Sequence, residues 1–333
     1  MPRAVRPLLP ILTAFAASTA TPAVAATPGP AGLYDQLAGL EARVAAIGFR
    51  LTTANAAWCT AQQPQFGWIW GDPRLYDENR RPAALAAYAA PDADTPYLAA
   101  VAPDSPAARA GLHRGTPVFA IDGIPVPPAD DADPFARIAV LETQAAALPV
   151  EAPAALTIAD GRDAEVIPIV GCASDFRVEA ADRPAGGADG RLVRISAGLA
   201  SFATDDAELA AAVAHELAHN ILRHPARLDA AGVDRGLFKE LGRSARLFRQ
   251  TEAEADRLSV WLLAGAGYDP EAAARFWRKF GGRKGRPLFP ALTHPGWRDR
   301  VASVEREAAA IAAARAAGEP LHPPLIDDMS PLE

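Results

Sequence analysis

Apolar residues near the start of the chain recur at steps of three and four, which is the period of an amphipathic helix. They are Leu33, Leu37, Leu40, Val44 and Ile47. Gly48 follows directly and predicts the end of this helix. We therefore expect residues 26–60 to contain an N-terminal helix whose apolar face packs on a larger domain.

The middle of the chain lacks this helical period. Residues 61–91 combine Trp, Pro, Asp and Tyr without a steady pattern, and they predict an irregular linker. From Pro96 to Val170, short apolar runs alternate with turn signals, which is typical of a β-rich domain. Asp160-Gly161 lies between two of these runs and predicts a tight hairpin turn.

The helical period returns in the C-terminal half. The stretch RLVRISAGLASFA, from Arg191, predicts a strand, and the helix after it begins with a capping box and carries an apolar stripe. The capping residues are Asp205 and Glu208, and the stripe contains Leu209, Val213 and Leu217. We expect an α+β fold, with a β-rich domain at 92–172, a mainly helical domain at 173–318 that holds a small β element, and a loose tail at 319–333.

The first residues have the composition of a signal peptide. Arg3 and Arg6 precede an apolar stretch, and residues 23–25 (AVA) form a cleavage site. A membrane anchor is the alternative, but Pro10 interrupts the apolar run, which falls short of the about 20 residues that a spanning helix needs. We expect residues 1–25 to be removed, leaving a periplasmic or secreted protein with no integral membrane segment.

Composition limits the partners and the compartment. The formal net charge of −7 argues against a nucleic-acid partner. The two cysteines are Cys59 and Cys172, and an even count in an exported protein predicts one disulfide. That bond would close a loop of over a hundred residues and stabilise the fold by roughly 4–5 kcal/mol in the chain-entropy model. Two unpaired, buried cysteines are the alternative.

The first helix of the C-terminal half contains the sequence HELAH. Residues four apart on a helix lie one turn above each other, so the imidazoles of His215 and His219 can converge on one metal ion. Glu216 lies to the side, where it can reach a water on that ion. The pentad alone is a weak signal, because two surface histidines beside a glutamate look the same in sequence. The surrounding alanines favour the metal site, since they indicate a buried helix in which an unpaired Glu is costly.

A catalytic zinc site takes three protein ligands and an open position, so a third ligand is needed. The segment TEAEADRLSVWLLAGAGYDP predicts a second helix, on which Glu252 and Asp256 share a face. One of these carboxylates can ligate zinc while the other accepts the second N–H of a ligating histidine. Glu254 points elsewhere, and we expect it to be a solvated acid.

Three motifs in this part of the chain resemble the gluzincin peptidases, and in particular the branch that contains the CAAX prenyl protease, HtpX and the periplasmic quality-control peptidases. They are ELAAAVAHELAHNILRH, EAEADRLSVWLLAGAGYDP and THPGWRDRV, between Glu208 and Val301. The resemblance implies one zinc ion as cofactor and polypeptides as substrates. The chain has no later segment apolar enough to cross a bilayer, so the prenylated substrates of the membrane-embedded members are not expected here.

The same resemblance gives each polar side chain a role. The implied zinc ligands are His215, His219 and Glu252, the general base is Glu216, and the hydrogen-bonding partner of a ligand is Asp256. The resemblance also singles out His294 and Arg300 in THPGWRDR. His294 would hold the open metal position in a resting state or stabilise the oxyanion during attack, and a hydrogen-bonding loop histidine is the alternative. We expect His224 to end the zinc helix rather than to bind the metal.

A second resemblance is to an inserted bacterial PDZ domain at residues 92–172, carried by VAPDSPAARAGLHRGTPVFAIDGIPV. It implies a short helix from Ser105, a turn at Asp122-Gly123 and a helix at about 133–147 beside a peptide groove. PDZ domains bind peptides by strand addition and capture a terminal carboxylate with backbone N–H groups. The residues DADTP before Tyr97 include no glycine and two acids that would repel a carboxylate, so a structural or regulatory role is the alternative.

Together these patterns predict a zinc-dependent endopeptidase of the cell envelope that cleaves misfolded or unassembled exported proteins. The PDZ domain would select substrates or bind an envelope protein partner. The alternative is a non-catalytic PDZ-containing chaperone or scaffold that zinc stabilises.

Overall fold

The structure, a computed structural model, describes residues 30–129, 133–233, 242–283, 295–327 and 331–332, with the backbone alone at Pro30, Ala31 and Asp160. The predicted signal peptide and His294 lie outside these ranges. The described part of the chain has an α+β fold, as predicted.

Helices and strands are interspersed as far as Ser196, and among the described residues only helices follow it. The helices are α1 (Pro30–Ala54), α2 (Arg81–Tyr88), α3 (Pro106–Arg109), α4 (Pro134–Ala146), α5 (Ala197–Phe202), α6 (Asp206–Ile221), α7 (His224–Ala230), α8 (Gly242–Gly265), α9 (Ala272–Gly281), α10 (Trp297–Ala317) and α11 (Pro324–Asp327). The strands are β1 (Gln62–Gln65), β2 (Trp68–Gly71), β3 (Tyr97–Val101), β4 (Ala120–Ile121), β5 (Ile124–Pro125), β6 (Ala154–Thr157), β7 (Asp163–Val166), β8 (Ile169–Cys172), β9 (Asp175–Glu179), β10 (Gly186–Ala188) and β11 (Leu192–Ser196).

Within the described ranges the strands form four small sheets. β1 pairs with β8 and β2 with β3, both antiparallel. An antiparallel sheet has the order β5-β4-β6-β7. In the sheet β10-β11-β9, the central strand β11 runs antiparallel to β10 and parallel to β9, which leaves β10 at one edge.

The main core surrounds α6, which packs against α1, α8 and α9. The predicted apolar stripe is confirmed, since Leu209, Val213 and Leu217 are fully buried. Burying each such side chain is worth roughly 1.5–3 kcal/mol. The alanines of α6 are also buried, and their small side chains let the neighbouring helices approach closely. Packing therefore fixes the position of α6, and α10 packs on α8 and α9 around it.

A second, smaller core lies under β4, β6, β7, α3 and α4, and we call residues 92–172 the β-rich unit. Its fully buried side chains include Leu98, Ile121, Ile138, Leu141 and Leu156. Ser105 accepts the N–H of Ala108 at 3.2 Å and begins α3, and Asp133 accepts the N–H of Phe135 at 3.0 Å and begins α4. The short helix from Ser105 and the helix near residues 133–147 are thus confirmed.

The predicted disulfide between Cys59 and Cys172 is confirmed, with the two Cα atoms 5.3 Å apart. The pairing of β1 with β8 begins beside it, at Gln62 opposite Cys172. The bond and the strand pair together hold the end of the β-rich unit against the segment that follows α1.

Glu142 of α4 connects the β-rich unit to the three-stranded sheet. Its buried carboxylate accepts hydrogen bonds from Arg177 of β9 at 3.1 Å and from Arg191 at 2.6 Å. Arg191 also pairs with Asp175 at the start of β9. Because Glu142 is buried, loss of its partners would leave an uncompensated charge, so this ion cluster favours one placement of α4 on the sheet.

Residues 61–91 are not the irregular linker that the sequence predicts, because they contain β1, β2 and α2. β1 and β2 pair with β8 and β3, which lie further along the chain, and Phe66 and Trp70 are buried in the second core. These strands are stabilised by distant partners, so no local period indicates them.

Two element ends also differ from the prediction. α1 continues beyond Gly48, where a Cβ would lie 2.6 Å from the ring of Phe176, so this glycine allows β9 to approach the helix and does not end it. The strand predicted from Arg191 ends at Ser196, whose hydroxyl accepts the N–H of Leu199 at 3.0 Å and begins α5. A side-chain cap overrides the apolar run at that point.

The predicted loose tail contains α11. Leu325 and Ile326 of this helix pack against the main core, and Leu332 is buried beside Leu228 and Leu247. The prediction was wrong because these apolar side chains contact the core singly, without a period that the sequence displays. Among the helices that the structure describes, none combines the length and apolar character needed to cross a membrane.

Candidate metal centre

The pentad HELAH occupies the C-terminal part of α6. The N–H of Glu208 donates to Asp205 at 2.8 Å, as the predicted cap requires, and sets the start of the helix. His215 and His219 lie one turn apart with ring centroids at 4.9 Å. Only 6% and 13% of their side chains are exposed, so they are not a surface pair.

Glu252 on α8 faces both histidines. The Nε2 atoms of His215 and His219 are 3.2 Å apart, and they lie 3.5 and 3.6 Å from the two carboxylate oxygens of Glu252. Within the described residues, these three side chains form the cluster that could hold a metal ion. One donor atom from each lies within 4.8 Å of the other two, and we call these three side chains the triangle.

This triangle fits zinc. Zinc binds imidazole nitrogen and carboxylate oxygen at about 2.0–2.2 Å with tetrahedral geometry, so neighbouring donor atoms should be about 3.3–3.5 Å apart. The Nε2–Nε2 separation of 3.2 Å is close to this spacing, and so are the nitrogen–oxygen separations of 3.5 and 3.6 Å, which end on different oxygens of Glu252. Two histidines and one glutamate also provide the nitrogen and oxygen donors that a catalytic zinc site uses.

Charge at the site also favours a cation. Burial raises the pKa of Glu252, but its contacts with His215 and His219 outweigh burial and hold that pKa well below its usual range, so the carboxylate is ionised. Burial holds the pKa of His219 well below its usual value. Burial lowers the pKa of His215 as well, but hydrogen bonds with Asp256 and Glu252 raise it to about 9. Zinc would therefore compete with a proton at His215.

Glu216 lies beside the triangle and is not part of it. Burial raises its pKa to about 7, which suits a group that exchanges protons near neutral pH. A Cβ at Gly186 of β10 would lie 2.4 Å from its carboxylate, so a larger residue at this position would force the Glu216 side chain to shift. The edge strand β10 and the glutamate are therefore in direct contact.

Asp256 lies behind His215, on the side away from the triangle. Its Oδ1 is 3.1 Å from Nδ1 of His215, and it accepts two hydrogen bonds from Arg300 of α10, both at 2.7 Å. The Arg300 guanidinium also stacks on Trp277, 3.4 Å from the ring centroid. Arg300, which the resemblance singles out, thus reaches the site through Asp256, and its Nη2 is also 3.5 Å from Glu252.

His224 and Glu254 lie behind His219. The Nδ1 atoms of His219 and His224 are 2.9 Å apart, and Nε2 of His224 is 3.0 Å from Glu254. Glu254 accepts hydrogen bonds from Arg227 at 2.6 Å and from Gln250 at 3.0 Å. The prediction that Glu254 is a solvated acid was wrong, because its side chain is 16% exposed and makes all of these bonds.

Leu222 and Arg223 separate α6 from His224, which begins α7 and so does not end the zinc helix as predicted. Its contact with His219 was missed. The only local signal is a histidine five residues after His219, and the contact depends on the turn at Arg223, whose left-handed φ of 54° the sequence does not indicate. His294 lies outside the described residues, so its role stays a prediction.

A cavity of about 700 Å³ opens onto the triangle. One wall is formed by residues 184–188, which include β10. Another wall is apolar and aromatic, and includes Leu199, Phe276, Trp277 and Phe280. The cavity therefore combines a strand edge, apolar surface and the polar cluster, and it is large enough for several residues of a polypeptide.

Part of the chain is similar to known peptidases. Residues 238–308 match the model of Peptidase family M48. The M48 match includes Glu252, Asp256 and Arg300 and begins after HELAH. The chain is also 28% identical over 137 residues to the mitochondrial metalloendopeptidase OMA1 of Schizosaccharomyces pombe, covering 35% of this chain and 41% of that protein.

A second OMA1, from Arabidopsis thaliana, is 31% identical over 132 residues, which cover 33% of this chain and 26% of that protein. The matches thus span less than half the length of either relative. The M48 match, the OMA1 relatives and the two-histidine, one-glutamate cluster together support a zinc metalloendopeptidase.

Proposed function

We propose that this protein is a zinc-dependent endopeptidase that cleaves polypeptides in the cavity beside α6. The observation that carries the proposal is the convergence of His215, His219 and Glu252, with one donor atom from each within 4.8 Å of the others and with Glu216 adjacent and outside the ligand set. A structural zinc site is closed by a fourth protein ligand, whereas this cluster opens onto a cavity.

Zinc, when bound, would supply a Lewis acid that polarises the scissile carbonyl and lowers the pKa of a water toward about 7. Glu216, with its own pKa near 7, accepts the proton of the attacking water and then gives it to the leaving amide nitrogen. Arg300 does not touch the substrate in this scheme. It holds Asp256, which in turn fixes the ring of His215.

The edge strand β10 supports polypeptides as the substrate class. It borders the cavity, and as the outer strand of its sheet it offers main-chain groups to an extended chain. Gly186 and Gly187 carry no side chains that would obstruct such a chain. A peptide added there as a further strand would pass beside Glu216, because Gly186 contacts that carboxylate.

We also propose that the β-rich unit is a PDZ domain that regulates or selects substrates. The capped helix from Ser105, the turn at Asp122-Gly123 and the helix α4 occur in the expected order. Carboxylate capture before Tyr97 is disfavoured, because Asp92 already accepts the N–H groups of Asp94 and Thr95 at 2.8 and 2.6 Å. The ion cluster of Glu142 gives a physical connection from α4 to the sheet that contains β10.

The proposed compartment is the cell envelope, and the proposed substrates are misfolded or unassembled exported proteins. The leader-like residues 1–25 and the Cys59–Cys172 disulfide support this placement, because disulfides persist in oxidising compartments. The two OMA1 relatives are named as mitochondrial proteins, and that location is stated of those relatives alone.

The test is proteolysis of unfolded casein by the purified chain, with and without a chelator. We expect cleavage that the chelator abolishes and added zinc restores. Glu216→Gln should lose about 10²–10⁴-fold in turnover while zinc stays bound, because only the proton acceptor is removed. Glu271→Gln, an exposed carboxylate at the start of α9, is the matched control and should keep full activity.

Cleavage by Glu216→Gln at the wild-type rate would refute the role of Glu216. Zinc binding without any cleavage by the wild type, on casein and on other unfolded proteins, would favour a zinc-stabilised scaffold over a peptidase.

A further inference from the structure

His224 has no part in the proposed mechanism. Its imidazole is 1% exposed, and both ring nitrogens are within hydrogen-bond distance of a partner. One partner is the ligand candidate His219, and the other is the carboxylate of Glu254. A buried imidazole with two defined partners has a fixed ring orientation and a fixed proton position.

The direction of the hydrogen bonds follows from the triangle. Nε2 of His219 lies 3.2 Å from Nε2 of His215 and 3.6 Å from Glu252, so this nitrogen is the one that faces the metal position. A ligating imidazole is neutral, so its proton is on Nδ1 and is donated to Nδ1 of His224. His224 must then carry its proton on Nε2, and it donates that proton to Glu254.

Glu254, at the outer end of this row of hydrogen bonds, is held in place by further contacts. Glu254 is held by Arg227 of α7 and by Gln250, one turn earlier on α8. These contacts connect α7 and α8 at Glu254. Because the carboxylate accepts from three side chains, it has one preferred rotamer and keeps His224 in place.

The turn before α7 provides an independent sign that this position matters. Arg223 is left-handed, with φ 54°, although it is not a glycine. Such a conformation costs on the order of 1 kcal/mol and persists only where the surroundings require it. The turn directs α7 back toward α6 and brings His224 against His219.

We infer that His224 is a positioning residue for His219. Its Nδ1 accepts a hydrogen bond from the Nδ1–H of His219. This bond fixes the ring plane and the tautomer of His219 that leave Nε2 free for zinc. Glu254 and Arg227 hold His224 in the orientation that this requires. His224 is not a ligand itself, because its Nδ1 faces His219 and its Nε2 faces Glu254. The inference rests on the proposed zinc function.

The test measures zinc affinity by competition with a chromophoric chelator, so it does not depend on activity. His224→Leu removes the acceptor and should weaken zinc binding about 10–100-fold. His224→Asn can place its side-chain oxygen near the lost Nδ1, where it accepts from His219, and should restore most of the affinity. Ile311→Ala, a buried change in α10 away from these contacts, should lower thermal stability without changing zinc affinity.

Wild-type affinity in His224→Leu would overturn the inference, and so would equal losses in the Leu and Asn variants, since packing alone would then explain them. If His224→Leu does not fold, His224→Gln replaces it, because the longer amide reaches the position of Nε2 and should bind zinc as weakly. Absence of zinc binding by the wild type would overturn the proposed function together with the inference. Wild-type zinc affinity in His224→Leu would overturn the inference alone.

Discussion

The two histidines proposed as zinc ligands are supported by different groups. Asp256 contacts His215 directly, and Arg300 binds that carboxylate with two hydrogen bonds. His219 instead contacts a second imidazole, His224, and its carboxylate, Glu254, lies one step further out. The first arrangement is an ion pair next to a ligand, whereas the second separates the ion pair from the ligand by one neutral ring.

Burial follows the same division. The side chains of Asp256 and Arg300 are 1% and 8% exposed, whereas those of Glu254 and Arg227 are 16% and 17% exposed. Coulomb interactions weaken as solvent approaches, so the outer pair should influence the metal less. The two histidines therefore face Glu252 in the same way, but the groups that support them differ in burial. We expect zinc affinity to depend more on the His215 side.

The largest expected effect tests whether zinc affinity merely follows stability. Replacing both cysteines, Cys59→Ala with Cys172→Ala, removes the loop constraint without touching either histidine support. We expect a loss of roughly 4–5 kcal/mol in the free energy of unfolding, measured by urea denaturation. Zinc affinity at low temperature should stay the same, and a parallel loss of affinity would break the comparison.

The next effect is on the His215 side. Asp256→Asn keeps the shape but removes the charge that pairs with buried Arg300, which should cost about 3–5 kcal/mol of stability. It should also weaken zinc binding, toward the upper end of the about 10–100-fold range for such partners. Chelator competition and thermal unfolding measure the two losses. Asp299→Asn, an exposed change one residue before Arg300, is the control.

A matched substitution on the same helix tests the His219 side. Glu254→Gln also turns a carboxylate into an amide, two residues from Asp256. Glu254 is further from the metal position, because the imidazole of His224 lies between it and His219. We expect zinc affinity to fall by no more than about tenfold. A loss as large as that of Asp256→Asn would show that both sides support the metal equally and would contradict the comparison.

The smallest effect concerns the turn that places His224. Arg223→Gly should relieve the left-handed strain and raise stability by about 1 kcal/mol, measured by thermal unfolding, while zinc affinity stays unchanged. A drop in stability would mean that the Arg223 side chain makes contacts worth more than the strain.

The inner site was predictable because helix geometry is local. Spacing alone places His215 above His219 and puts Glu252 on one face with Asp256, and the motif resemblance then separates ligand from partner. The structure brings these residues together in that arrangement. The α+β fold class and the disulfide also followed from pattern and composition.

The remaining features depend on contacts between distant residues. The support of His219 requires the turn at Arg223 and the packing of α7 on α8. No periodic pattern in the local sequence predicts either feature. Glu254 looked solvated because its helical face differs from that of Glu252, although a short helix covers it. β1 and β2 were missed for the same reason, since their partners are β8 and β3.

The measurement that tests the central claim most directly is a zinc titration of the metal-stripped protein, followed by casein cleavage. The account predicts no cleavage without metal and a linear rise that stops at one zinc ion per chain. Glu252→Gln, which removes the third ligand, should need far more zinc to reach any activity. Full cleavage by the stripped protein, or activity in Glu252→Gln that saturates at the same single equivalent, would contradict the account.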